Sequence, residues 1–94
     1  MFVYCVTVAK VNNNSSQSLE FFQIEVPSKD SVTKLDQLED LESEMRKVIL
    51  EQEKDKFDRE YQVVRTLSSI SKYDYMRQVI SHYNFIAFSL LREE

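Results

Sequence analysis

Asp36, Asp40 and Glu44 recur at every fourth position, and Glu51 extends the row. On an α-helix this spacing stacks the carboxylates on one face, because residues four apart are neighbours across a turn. Paired carboxylates can serve acid–base chemistry when a concave site drives their pKa values apart. A row on an exposed helix face offers no such pocket. What it offers is an acidic surface complementary to a basic partner, including imitation of a nucleic-acid backbone. The plainer alternative is a solvated face whose early acids complement the positive end of the helix dipole. Like charges four apart repel by about a few tenths of a kcal/mol per pair, and Lys47 relieves only part of this, so the row is mildly costly to folding. Glu42 and Arg46 make a separate pair at the same spacing, which is ordinary helix support.

The remaining reactive residue types are sparse. Cys5 is the sole cysteine and sits in an apolar run, which reads as a buried structural thiol. His82 is the sole histidine, so a His/Cys metal cage cannot be built within one chain, and no metal or cofactor is expected. Ser81 and His82 are adjacent, but neighbours on a helix point about 100° apart and do not face each other as a nucleophile and its base must. Tyr73, Tyr75 and Tyr83 surround Arg77. Tyr75 points away from Tyr73 and Met76 on the helical wheel, so it is expected to be exposed, where tyrosine with arginine is a common interface pairing. As a nucleic-acid stacking platform the group lacks a basic groove. The candidate binding residues are therefore Asp36, Asp40, Glu44, Glu51, Tyr75 and Arg77.

These residues must be held by one domain spanning 1–94, since 94 residues support a single core and not two. Apolar residues at 43% and charged residues at 30% place the chain among ordered globular proteins. It contains no glycine, which excludes standard phosphate-cradling loops, dinucleotide turns and nucleophile elbows. The net charge of −4 has a definite location. Residues 31–60 hold ten acids against six bases, and the rest of the chain balances six against six. Direct binding to a nucleic-acid backbone is disfavoured, because that affinity comes from clustered Lys and Arg. No basic and apolar leader and no membrane-length apolar run is evident, so a cytoplasmic, reducing setting is expected.

Phe2 to Val11 reads as a strand apolar on both faces, suited to the centre of a sheet. The polar cluster Asn12 to Ser18 is a long hairpin loop, and Leu19 to Val26 returns as a second strand ended by Pro27. Ser28, Asp30 and Ser31 offer N-cap oxygens. Leu35, Leu38, Leu41, Met45, Val48 and Ile49 then recur at helical spacing, a single buried stripe. The stripe fails near residues 52–56, and Phe57, Tyr61, Val64 and Leu67 resume at a rotated angle, so a break is expected there. The β-branched pair Val63 and Val64 leaves a strand over Tyr61 to Leu67 as the alternative. Ser68 to Ser71 interrupts again before Tyr73, Met76, Val79, Ile80 and Tyr83, with Asn84 as a left-handed cap. Phe85 to Leu91 closes the chain as a strand beside the first, apolar on both faces.

The sum is an α+β fold in the order ββαααβ: a three-stranded antiparallel sheet, made of an N-terminal hairpin plus a C-terminal strand, packed on one face by two or three helices. A second apolar sheet face calls for a partner, and a homodimer is expected. Small size, acidity and lack of catalytic motifs are shared with the stoichiometric modulators and inhibitors that phages and mobile elements encode. On that analogy a non-enzymatic protein is expected, acting in the host cytoplasm on a basic protein partner such as a nucleic-acid-binding protein. The alternative is a structural or assembly subunit forming a homo-oligomer.

Overall fold

The computed structural model describes residues 1–12 and 18–94, so most of the polar cluster read as the hairpin loop lies outside the described residues. Strand β1 (Phe2–Asn12) alternates β-branched and aromatic side chains, which favours a pleated, half-buried conformation. It pairs antiparallel with β2 (Ser18–Ser28), Val6 opposite Ile24 and Val8 opposite Phe22. Strand β3 (Tyr83–Glu93) lies antiparallel on the other side, giving the order β2-β1-β3. The β1–β3 register shifts twice, between Val3 and Tyr4 and between Thr7 and Val8, leaving Leu91 and Ile86 as extra residues on β3. Such bulges bend the strand that carries them.

Helix α1 (Leu35–Gln52) buries Leu41, Met45 and Ile49 along one stripe. It is followed after Glu53 by α2 (Lys54–Val64), which buries Phe57, and then by α3 (Lys72–Ile80). The break falls at Glu53, where the backbone turns to φ −105° and ψ 16°, and residues 61–64 are helical, not a strand. α3 starts on Ser71, whose hydroxyl accepts the Asp74 N–H at 3.1 Å, the N-cap bond that satisfies an otherwise orphaned donor. One core joins the layers: Tyr4, Val6, Val8, Ile24, Val26 and Tyr83 from the sheet meet the buried residues of α1 and α2. The Tyr4 hydroxyl accepts the Val32 N–H at 2.7 Å and so ties the segment entering α1 to the central strand. The α+β reading, the ββαααβ order and the central position of β1 are all as expected.

Several local expectations are corrected. Pro27 does not end β2, which continues to Ser28; an edge strand tolerates a residue without an N–H because one side of it needs no ladder bond. Ser28, Asp30 and Ser31 do not cap α1. Lys34 occupies the cap, and Gln37 Oε1 accepts the N–H groups of Thr33 at 2.8 Å and Lys34 at 3.1 Å. Leu35 is 71% exposed, because α1 begins there, beyond the end of the core. Leu67 is exposed in the turn after α2. Asn84 is no left-handed cap: α3 ends at Ile80, Asn84 belongs to β3, and its side chain donates to the Ala9 carbonyl at 3.3 Å. No described residue has positive φ. The sheet face turned from the helices is also more polar than expected. Gln23 Nε2 donates to Thr7 Oγ1 at 3.5 Å, and Arg92 reaches across the sheet to Glu25 at 2.6 Å.

The contrast between Leu35 and Met45 is directly measurable. Met45→Ala is expected to lower unfolding stability by about 2–5 kcal/mol, the cost of a cavity in a packed core. Leu35→Ala is expected to change it by less than about 0.5 kcal/mol. Urea denaturation of both variants checks this, and equal losses would contradict the burial assigned to the helix.

Candidate functional site

The four acids of the proposed row all lie on α1, away from its buried stripe. Asp36, Asp40 and Glu51 are exposed and Glu44 is half-buried. At 1.5 Å rise per residue the row from Asp36 to Glu51 is about 22 Å long. Asp36 stands in the first turn, where its Oδ1 accepts the adjacent Gln37 N–H at 3.0 Å; a carboxylate is favourable at that end of the dipole. Asp40 and Glu44 line one wall of a cleft of about 350 Å³ between α1 and the end of β2, with Lys29 and Asp30 opposite. Lys47 Nζ lies 3.1 Å from Glu44 Oε1. The cleft thus gathers the carboxylates of Asp30, Asp40 and Glu44 with the ammonium groups of Lys29, Lys47 and Met1, a weaker negative surface than the spacing of the row alone implies. Glu42 and Arg46 approach to 3.6 Å, the expected helix pair.

The aromatic part of the proposed site is rearranged. Tyr75 is buried, not exposed: its ring lies 5.5 Å from that of Tyr61, and its hydroxyl donates to Glu60 Oε2 at 3.1 Å. Tyr73 is the exposed member, at 73%, with the Arg77 guanidinium 5.8 Å from its ring centre. The cause is that α3 has two neighbours. Met76, Val79 and Ile80 pack against the sheet core, while Tyr75 meets α2. A single-stripe wheel cannot show a second contact. Lys72, 2.9 Å from Asp58, adds a charge contact between the same two helices, and Tyr61 donates to the Ile70 carbonyl at 3.1 Å across the intervening turn. Arg77 lines a separate cleft with Glu42 and Arg46. The acidic row and the tyrosine–arginine pair therefore sit on different flanks of α1.

A third cleft, of about 510 Å³, opens between α2, α3 and the sheet, lined by Lys10, Lys56, Glu60, Tyr75, His82 and Tyr83. Lys10 Nζ stands 5.5 Å from the centre of the Tyr83 ring. Burial raises the Tyr83 phenol above its ordinary value, against the opposing pull of the Lys56 charge. Ser81 Oγ donates to the Gln78 carbonyl at 2.6 Å, the local bonding of a helix-end serine. Among the described residues no group of three or more His, Cys, Asp and Glu could hold a metal ion, and no helix is long and apolar enough to cross a membrane.

Tyr75 offers a spectroscopic check on this packing. Its phenol is pushed up to about 12 by burial first, and then by the hydrogen bond to Glu60 and that carboxylate's charge. A raised folded-state pKa favours the protonated folded form, so its stabilising effect is complete below about 10 and is lost as pH rises toward about 12. Alkaline titration of tyrosinate absorbance should show a late-ionising phenol that disappears in Tyr75→Phe. An unchanged titration curve in that variant would refute the assignment.

In comparison with known proteins, no family model, no curated protein and no solved structure matches the chain.

Proposed function

We propose that this chain is a small acidic protein-binding modulator or inhibitor, of the kind phages and mobile elements encode, acting stoichiometrically on a basic partner such as a nucleic-acid-binding protein of the host cytoplasm. The observation that carries this reading is the outer face of α1. Asp36, Asp40 and Glu51 are exposed on it, away from the buried Leu41, Met45 and Ile49, and the half-buried Glu44 continues the row along the cleft beside β2, so the same helix that anchors the core carries an acidic row. A charged row on a rigid helix steers an oppositely charged partner and sets register, contributing more to association rate and specificity than to raw affinity. Tyr73 with Arg77 takes the place of Tyr75 as the exposed aromatic contact, on the other flank of the helix.

A second reading, an assembly subunit, draws on a different observation: the large apolar side chains left exposed on β3.

The acidic-face reading is tested by charge reversal. Asp36→Lys, Asp40→Lys and Glu44→Lys combined should reduce capture of a basic partner from native extract by at least about tenfold, with the circular dichroism spectrum retained. Wild-type capture should also weaken with added salt, since charges exposed to solvent are screened over a Debye length of about 8–10 Å. Equal capture by wild type and variant at all salt concentrations would overturn the role of the row.

A further inference from the structure

Strand β3 is an edge of the sheet, with β1 on one side and, among the described residues, no strand on the other. Proteins ordinarily protect such an edge with charge, proline or short length. The opposite edge is protected in this way: β2 carries Glu20, Glu25 and Pro27, and Lys29 and Asp30 follow it. β3 is eleven residues long, and from Tyr83 to Leu91 it contains no charged residue and no proline. β2 also exposes Leu19 and Phe21, but it interrupts them with charge, whereas the exposed apolar side chains of β3 follow one another without a charged residue between them. Ile86 is 53% exposed, Phe88 38%, Leu90 51% and Leu91 49%.

The position of the helices explains the exposure. Phe88 and Leu90 pair with Val6 and Tyr4 in the ladder and so share the face on which the helices pack. Val6 and Tyr4 are buried there, but α1 leans toward β2 and leaves β3 half covered. Helices and sheet together form a body of 45 × 27 × 22 Å, with a radius of gyration of 15.0 Å, against roughly 12–13 Å for a compact domain of this length. The long uncovered strand is part of that extension.

We propose that the free edge of β3 is the interface between two copies of this chain, paired antiparallel about a two-fold axis near Phe88 to give a continuous six-stranded sheet. The strand is self-complementary in that arrangement. Phe88 meets Phe88 of the second copy, Ile86 lies opposite Leu90, Arg92 opposite Asn84 and Glu93 opposite Tyr83, so no like charges are opposed. Residues opposite each other in an antiparallel pair share a face, so both helix layers fall on the same side and the exposed Phe88 and Leu90 of each copy close over one another. The bulges at Ile86 and Leu91 flank the stretch Ala87–Leu90, in which the strand is regular. Most of the negative charge is carried by 31–60, which is α1 and α2 with their approach, and α1 lies toward the far edge of the sheet. Covering the four apolar side chains and the strand edge removes on the order of 500 Å² per protomer, or about 1,000 Å² in all, at the lower bound of a specific interface.

This pairing uses none of the residues assigned to the acidic row, so the two readings fail independently. Sedimentation equilibrium of the full chain from sub-micromolar to high micromolar concentration should show a monomer–dimer transition. Ile86→Lys and Leu90→Lys should each weaken it by at least about tenfold, the effect of placing charge on a pairing edge, with the circular dichroism spectrum unchanged. As a positive readout, Phe88→Cys in a Cys5→Ser background should form an intermolecular disulfide on mild oxidation, because directly opposed residues of an antiparallel pair have Cα atoms about 4.5–5.5 Å apart, within the span a disulfide bridges. Leu19→Cys in the same background, on the guarded edge, should not. A monomer at every concentration, which would leave the edge to a strand of another protein, overturns the proposal. So does a dimer indifferent to both lysines, or one that cross-links through Leu19→Cys and not through Phe88→Cys.

Discussion

The helix-facing side of β1 is the surface on which the other elements are assembled. Tyr4, Val6 and Val8 project from it, and Val6 and Val8 have no accessible surface left. β1 is hydrogen-bonded along both edges, so its backbone polar groups are satisfied and its side chains can be buried without penalty from the main chain. Against this surface α1 sets Leu41, Met45 and Ile49, and α2 sets Phe57. Core side chains pack at crystal-like density, so each of these contacts limits where the next element can go. The hydrogen bond from Val32 N–H to Tyr4 extends the same control to the entry into α1.

A second constraint is the absence of glycine. Helices often end through a left-handed residue, which glycine adopts without steric cost. This chain passes from helix to helix without one. α1 gives way to α2 at Glu53 with negative φ, and α2 and α3 end at Arg65 and Ser81 in right-handed geometry. The turns that result are anchored by side chains: Tyr61 holds the Ile70 carbonyl, and Ser71 caps the helix that follows. Tyrosine hydroxyls recur as fasteners, with Tyr4, Tyr61 and Tyr75 each joining segments distant in sequence.

The two exposed features that suggest function sit on opposite sides of this scaffold and follow from it. The acidic row lies off the buried stripe of α1, partly exposed and partly in the cleft beside β2, on a helix whose other side is committed to the core. The apolar edge of β3 arises because α1 leans over the hairpin and, among the described residues, β3 pairs only with β1. A contact through one leaves the other free, so a dimer joined along β3 would display two acidic faces.

Much of this was legible in the residues alone. The period of the apolar side chains distinguished the strands from the helices, because a buried face imposes period two on a strand and 3.6 on a helix. The doubly apolar pattern of Phe2 to Val11 suited the central position that strand holds, although Phe85 to Leu91 has the same pattern and lies at the edge, and the rotated phase marked a break near residues 52–56, which the structure puts at Glu53. The acidic row was visible as spacing. Burial that depends on neighbours was decided only by the tertiary structure. Tyr75 and Tyr73 exchange the roles that a single helical wheel assigns them, because α3 is gripped by α2 as well as by the sheet. Leu35 belongs to the stripe by spacing but lies past the end of what the core can cover. Phe88 and Leu90 have the composition of core residues, yet they stand half exposed, since how far a helix layer extends over a sheet is set by packing between elements far apart in the chain. Local pattern determines which residues can share a face; the arrangement of the layers determines which of those faces is covered.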